Sequence, residues 1–117
     1  MDTLKKVEIA VKALDSKKAF DIKVIKIDDL TILGDYFIIA NGSSSTQVKA
    51  LADEVDEKMS ENNVEPNHIE GKSSGWILLD YGDVVIHVLG RDEREFYSIE
   101  RLWQDGTQID ISEFISE

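Results

Sequence analysis

The fold is decided by residues 36–59, which read YFIIANGSSSTQVKALADEVDEKM. The first five of these residues form a continuous apolar run, which is typical of an interior strand buried on both faces. A glycine-serine turn follows, in which Ser44 and Gln47, three residues apart, predict a capping box at the start of a helix. The predicted helix has one apolar face, which consists of Val48, Leu51, Ala52, Val55 and Met59.

An amphipathic helix and a strand are predicted before this unit. Apolar side chains recur at helical spacing in the first segment, at Leu4, Val7, Ala10, Val11 and Leu14. The period of the apolar side chains changes to two from Ala19, so residues 19–27 predict a strand.

Three strands and a helix are predicted after it. Residues 66–70 predict a short extended segment, and residues 76–81 and 84–89 predict two strands that Gly82-Asp83 joins as a hairpin. A final helix is predicted for residues 92–103, with Phe96, Ile99, Leu102 and Trp103 on its buried side. Helices interleaved with strands indicate an α/β domain, with helix–sheet–helix layers around a mixed, roughly five-stranded sheet.

The composition of the 117 residues excludes several classes of site. Cysteine is absent, which excludes disulfides, thiolate metal sites and cysteine catalysis. No apolar run approaches the ~18 residues of a membrane span, and the first residues lack the apolar region of a secretory signal. We expect a cytoplasmic protein with one domain, residues 1–104, and an acidic tail, residues 105–117, that either packs as an edge or hangs loose.

The charge of the chain is acidic and uneven. The formal net charge is −11, from 24 acidic and 13 basic side chains. Residues 1–58 hold 9 basic and 11 acidic side chains, a net of −2, whereas residues 59–117 hold 4 and 13, a net of −9. Such a surface opposes direct binding to nucleic acid, because phosphates are met by lysine and arginine. A macromolecular partner should therefore present basic side chains to the second half.

Candidate catalytic groups are few. The Gly42–Ser45 turn resembles the start of a nucleotidyltransferase signature, where a helix start binds phosphate. Such chemistry also needs carboxylates for Mg²⁺ on a neighbouring strand, which offers only Asp80, with Asp83 in the turn. We favour a serine-rich helix cap. His68 and His87 lack neighbours that could complete a zinc site, so a strand histidine without catalytic role is favoured for His87. No catalytic residue, metal or cofactor is predicted.

Aromatic side chains concentrate in the acidic second half. Phe96 and Trp103 fall on a helical stripe, which favours core packing. Trp76 opens a predicted strand beside a glycine-rich turn, where aromatic residues are typical interface anchors. The residues leave a core role and an interface role equally open for Trp76.

Two long motif blocks resemble one known family. The first combines DYFIIA at 35–40, Gly42 and Ser44-Ser45 with ALADEV at 50–55. The second combines Glu70-Gly71, Gly75-Trp76, LDYGDVV at 79–85 and His87-Val88 with REFY at 94–97 and ERLW at 100–103. Together these motifs cover nearly all of residues 5–104 and resemble the ribosomal silencing factor family, RsfS, also called Iojap.

The resemblance implies a binding function and no enzymatic one. Family members resemble nucleotidyltransferases in fold but lack the catalytic carboxylates. They bind the large ribosomal subunit through its ribosomal protein number fourteen, and thereby sterically prevent the small subunit from joining, which represses translation. The resemblance further implies a ribosome-associated protein that is a homodimer when free.

The resemblance also nominates individual residues. It implies that one strand and the residues beside it contact the partner, through Trp76, Leu78, Asp80, Tyr81, Asp83 and Glu70. The aromatic residues would be the anchors, and the acids would face basic side chains of the partner. Further residues match the motifs without a separable role: Asp35, Tyr36, His87, Arg94, Glu95, Tyr97 and Trp103. Two other functions stay open on the residues alone, a divergent nucleotidyltransferase-like enzyme acting on a nucleotide through Ser43, and a small-ligand regulatory domain.

Overall fold

A computed structural model of the chain describes residues 3–26, 36–71, 75–90 and 107–109. These ranges contain two helices and six strands. In chain order they are α1 Thr3–Ser16, β1 Phe20–Lys26, β2 Tyr36–Gly42, α2 Ser45–Glu61, β3 His68–Glu70, β4 Trp76–Asp80, β5 Val84–Gly90 and β6 Thr107–Ile109. The helix predicted for residues 92–103 lies outside the described residues.

The six strands form one sheet in the order β3-β4-β5-β2-β1-β6. The central pair, β2 and β5, is parallel, and every other pair is antiparallel. This confirms the predicted α/β fold with a mixed sheet. The strand count rises from about five to six because Thr107–Ile109, in the acidic segment after residue 104, pairs with β1 at the sheet edge.

Both described helices pack on the same face of the sheet, which we call the helix face. Side chains of α1 and α2 share one buried core with alternate residues of the strands, among them Val24, Ile38, Ile77, Leu79 and Ile86. Alternation sends the intervening residues to the other side of the sheet, which we call the opposite face. A second apolar cluster lies there, in which neither α1 nor α2 takes part, and it contains Ile25, Phe37, Ile39, Val85, Leu89, Trp76 and Leu78.

The turn from β2 into α2 is a helix cap, as the sequence predicts. The Ser44 hydroxyl accepts a hydrogen bond from the Gln47 backbone N–H at 3.1 Å, and the Gln47 side chain accepts one from the Ser43 backbone N–H. Gly42 lets the strand and helix approach closely, because a Cβ there would lie 3.0 Å from both the backbone nitrogen and Cγ2 of Val48. A larger residue at position 42 would push α2 away from the sheet.

The start of α1 differs from the prediction. Leu4 was expected on the buried stripe, but it is 53% exposed. In the first turn Thr3 and Lys6 point toward Asp83 at the β4–β5 turn, and both side chains donate hydrogen bonds to that carboxylate. Polar contacts therefore occupy the inner side of this turn, and Leu4, on its outer side, extends past the core.

Candidate functional site

The strands at one edge of the sheet bring polar and apolar side chains onto the opposite face. His68 pairs with Asp80, and Glu70 pairs with Leu78, in the antiparallel ladder between β3 and β4. Residues paired directly across a ladder point to the same side, and alternate residues of one strand share a face. Five side chains consequently share one surface, the β3–β4 surface, which consists of His68, Glu70, Trp76, Leu78 and Asp80.

The centre of the β3–β4 surface is apolar. Trp76 and Leu78 are half-buried and pack against the cluster of the opposite face. The Trp76 indole Nε1–H donates a hydrogen bond to Nδ1 of His87 at 3.2 Å, and the two ring centroids are 6.0 Å apart. Trp76 therefore has its polar edge satisfied within the chain while part of its ring surface stays exposed. The packing supports the core interpretation of Trp76 in part, and its role at an interface stays a prediction.

The rim of this surface is acidic. The Glu70 side chain is 69% exposed and the Asp80 side chain 24% exposed, and His68 lies between their carboxylates. His68 Nε2 is 3.5 Å from Glu70 Oε2, and His68 Nδ1 is 3.6 Å from Asp80 Oδ2. Asp80 is oriented by a 2.8 Å hydrogen bond from the Gly82 backbone N–H, in a turn where Gly82 takes φ +88°. The exposed contact between His68 and Glu70 contributes little to folding stability, whereas Asp80 is half-buried and held by the turn.

His87 lies behind Trp76 on the central strand β5. It is only 6% exposed, and burial lowers its pKa to about 4, so the ring is neutral at physiological pH. Since Nδ1 accepts the indole hydrogen bond, the ring proton resides on Nε2. Among the described residues Nε2 has no hydrogen-bond partner. Phe37 on β2 packs against the other side of the imidazole, with ring centroids 5.2 Å apart.

Sequence reasoning missed the contact between Trp76 and His87, although the chain carries a signal for it. In the β4–β5 hairpin Trp76 pairs with Leu89, and Leu78 pairs with His87. Trp76 and His87 are therefore diagonal neighbours on one face, a distance that aromatic side chains span. The predicted Gly82-Asp83 turn would have fixed this register.

Tyr81 is not part of the β3–β4 surface, which corrects its expected role as an aromatic anchor. It is 5% exposed and belongs to the core of the helix face. Burial raises the pKa of the Tyr81 phenol strongly, and the nearby Asp56 and Glu65 carboxylates raise it further. Tyr81 follows β4 on the side of Ile77 and Leu79, so a partner at the opposite face does not reach it.

Asp83 has a partner within the chain. Its carboxylate accepts hydrogen bonds from Thr3 and from Lys6 Nζ, the latter at 2.8 Å. Burial acts to raise the pKa of this carboxyl, but the hydrogen bonds from Lys6 and Thr3 hold it below its usual value. Asp83 joins α1 to the β4–β5 turn, and this contact directs its charge toward α1 and away from the rim formed by Glu70 and Asp80.

The other motif-matched residues divide into two groups. Tyr36 is 8% exposed in the core of the helix face, and its backbone N–H donates to the Asp83 carbonyl at 3.1 Å. The remaining ones lie outside the described residues: Asp35, Arg94, Glu95, Tyr97 and Trp103.

The register of the sheet separates the groups that a nucleotidyltransferase would need. Asp80 pairs with Val85 at one end of β5, whereas Gly42, next to Ser43, pairs with Gly90 at the other end. Five residues of strand separate the two ends by roughly 16 Å. Across residues 3–26, 36–71 and 75–90, no group of three or more histidine or acidic side chains is arranged to hold a metal ion.

Two further features of the described residues bear on the open alternatives. A mostly apolar groove of about 330 Å³ lies between α1 and α2 and is lined by Ile9, Lys12, Ala13, Ser16, Lys58 and Asn62. It lies on the other side of the sheet from the β3–β4 surface. Neither helix in the described part of the chain is long and apolar enough to cross a membrane.

Comparison with known proteins identifies the family. All of residues 1–117 match the family model of RsfS, described as the ribosomal silencing factor during starvation. The chain belongs to the RsfS family. The ribosomal silencing factor RsfS of Bacillus subtilis is 39% identical over 105 residues, which are 89% of each chain. RsfS of Chromobacterium violaceum is 43% identical over 97 residues, which are 82% of this chain and 80% of that protein.

A solved structure agrees with the fold of this RsfS-family chain. A crystal structure of a Chromobacterium violaceum protein matches with a TM-score of 0.87 at 39% identity, over 94% of this chain and 92% of that one. The match to the RsfS family model and the RsfS relatives confirm the family resemblance predicted from the sequence. The likeness to nucleotidyltransferases stays a prediction.

Proposed function

We propose that this RsfS-family chain is a ribosomal silencing factor that binds the large ribosomal subunit through its β3–β4 surface. One observation carries the assignment of the surface: two apolar side chains, Trp76 and Leu78, share it with the exposed carboxylate of Glu70 and the half-buried carboxylate of Asp80. The Bacillus subtilis relative is named a ribosomal silencing factor, which supports the role.

The composition of the surface matches what a protein interface needs. Interfaces concentrate their binding energy in a few central residues, often tryptophan, which a polar rim surrounds and shields from water. The rim here is acidic, in a half-chain with a net charge of −9. A basic ribosomal protein complements that charge, whereas ribosomal RNA is repelled by it. We propose ribosomal protein number fourteen as the partner, as the family resemblance implies.

The proposed mechanism is steric and involves no catalysis. A factor bound at the subunit interface occupies the area that the small subunit would contact, so joining of the subunits is prevented and translation is repressed. The roughly 16 Å of strand β5 between the level of Asp80 and the level of Gly42, next to Ser43, supports a function without nucleotidyl transfer. As parts of the same proposal, we place the protein in the cytoplasm on ribosomes and as a homodimer when free.

Sedimentation with purified large subunits tests this proposal. The protein should pellet with the large subunit, and adding it to both subunits should lower the yield of joined ribosomes. A protein that stays in the supernatant at low and moderate salt would refute the function. If a nucleoside triphosphate with Mg²⁺ stabilised the free protein against heat, the enzyme alternative would be favoured instead.

Substitution of Trp76 tests the surface itself. Trp76→Ala should weaken binding about thirtyfold, which corresponds to ~2 kcal/mol, because an interface anchor is lost. Leu4→Ala is the matched control, since Leu4 is a large exposed apolar residue of α1 on the helix side, 53% accessible. Equal affinity of a folded Trp76→Ala variant and the wild type would exclude the β3–β4 surface.

A further inference from the structure

Three aromatic rings on the opposite face follow one another from the centre of the sheet to its edge. Phe37 on β2 packs against His87 on β5, with centroids 5.2 Å apart, and His87 packs against Trp76 on β4 at 6.0 Å. The sequence motifs contain His87 without giving it a task, and the proposed mechanism does not use it. Its Nδ1 nevertheless makes a specific contact, as the acceptor for the Trp76 indole N–H at 3.2 Å.

We infer that His87 is a positioning residue for the ribosome-binding surface, which fixes the Trp76 indole in its binding orientation by accepting the indole N–H at Nδ1. This inference rests on the proposed function, because it assigns a role within the same surface. His87 itself touches no partner, since it is 6% exposed and lies behind Trp76.

A fixed orientation matters for Trp76 more than for its neighbours. Trp76 is half-buried at the start of β4, the second strand from the sheet edge. Neighbouring side chains therefore pack against only part of its ring. A side chain that rotates freely must be immobilised when a partner binds, and that loss of entropy lowers affinity. The hydrogen bond that the indole N–H donates to His87 on the central strand β5 restrains the indole before binding.

The tautomer of His87 suits this task. An imidazole with its proton on Nε2 presents Nδ1 as an acceptor only, whereas a protonated imidazole would turn a second donor toward the indole N–H. His87 is also clamped from behind by Phe37 and held on a strand with neighbours on both sides. The acceptor therefore has a fixed position and a fixed protonation state.

Two substitutions at position 87 separate hydrogen bonding from packing. His87→Phe keeps a ring of similar shape but removes the acceptor. His87→Asn loses the ring but keeps an acceptor, because the Asn Oδ1 is attached to Cγ as Nδ1 is. A positioning role predicts that His87→Phe weakens binding to the large subunit about fivefold and that His87→Asn restores most of that loss. A purely structural role predicts the reverse order.

The resonance of the Trp76 indole N–H, recorded in the free protein, reports on the hydrogen bond to His87 without any contribution from ribosome binding. Trp76→Phe assigns this resonance by its disappearance, since the chain has only one other tryptophan, Trp103. In His87→Phe the resonance should shift and its hydrogen exchange with solvent should accelerate, whereas His87→Asn should keep exchange slow. Unchanged exchange in His87→Phe would overturn the inference. His87→Leu provides a second variant without an acceptor if the phenylalanine variant does not fold.

A double-mutant cycle completes the test. If His87 acts through the indole N–H, His87→Phe should cause no further loss of affinity in a Trp76→Phe background. An equal loss in both backgrounds would overturn the positioning role and leave the proposed function intact. A wild-type protein that fails to bind large subunits at all would overturn both.

Discussion

The two faces of the sheet differ in the kind of residue that they bury. On the helix face, β2, β4 and β5 contribute aliphatic residues and Tyr36 to the core that α1 and α2 cover, and Tyr81, directly after β4, adds a second phenol. The described part of the chain has two buried polar residues, Asn41 and His87, and both lie on strands at positions that point to the opposite face. Asn41 Nδ2 donates to the Leu89 carbonyl at 3.4 Å, and His87 accepts from Trp76.

This difference has a physical reason. A core that only has to fold is best filled with aliphatic side chains, because every buried polar atom needs a partner. Polar groups under a surface are retained where they orient other groups. The helix face is therefore expected to control stability, and the opposite face to control recognition.

The largest expected effect is a loss of stability when Leu51 is substituted, which tests whether the helix face controls stability. This residue of α2 is fully buried in the core of the helix face. Leu51→Ala should lower the free energy of unfolding by about 3 kcal/mol, because it leaves a cavity in a tightly packed core. Urea unfolding measures this loss, and Leu4→Ala should change stability by less than about 0.5 kcal/mol.

The same Leu51 variant also tests the independence of the two faces. Its folded fraction should bind large subunits with the affinity of the wild type. A large loss of affinity per folded molecule would mean that the helix face also takes part in recognition.

A pH dependence of stability is expected from the opposite face. The pKa of His87 falls from 6.5 to about 4 on folding because the ring is buried. Between these values the unfolded chain binds a proton that the folded chain does not, so stability is complete above pH 6.5 and decreases as the pH falls toward 4. The loss from this one group is roughly 3 kcal/mol.

Urea unfolding at pH 7 and at pH 4 measures this loss, with His87→Phe as the reference. Carboxylates such as Asp83, whose pKa is also lowered, titrate in both proteins and cancel in the difference. The wild type should lose more stability than His87→Phe over this range. Parallel pH profiles of the two proteins would show that His87 is not buried as a neutral ring.

The smallest expected effect concerns the acidic rim. Glu70→Gln should weaken binding to the large subunit two- to fivefold at low salt, and the difference should shrink as salt screens the charges. Asp53→Asn is the matched control, because Asp53 is an exposed carboxylate on α2 with a side chain 62% accessible. Equal losses from both variants would indicate a general effect of net charge and no contact at Glu70.

Local patterns predicted the described elements of this fold well. The apolar run at residues 36–40 became β2, and the cap at Ser44 formed with Gln47 as expected. Both signals depend on residues within a few positions of each other, which is why the sequence suffices to read them. The family resemblance depends on the order of short motifs along the chain, so it too can be recognised from the sequence.

One of the two errors goes against a local pattern, and the other arises from contacts between distant residues. Tyr81 was grouped with Trp76 and Leu78, although alternation along β4 puts it on the side of Ile77 and Leu79. Leu4 continues the helical stripe in the sequence, but it is exposed in the structure. The first turn of α1 contacts Asp83, which is nearly 80 residues away along the chain, and this contact sets how the turn faces the sheet. Such contacts have no local signal.

The α/β class, the helix cap, the acidic second half and the family can all be read from the chain alone, because they follow from periodicity, composition and motif order. Which acids share a surface with Trp76 became clear only from the folded arrangement. It separated Glu70 and Asp80, on the opposite face, from Asp83, which is held by α1. Strand register and helix docking make that separation, and both arise from contacts between segments that are remote in the chain.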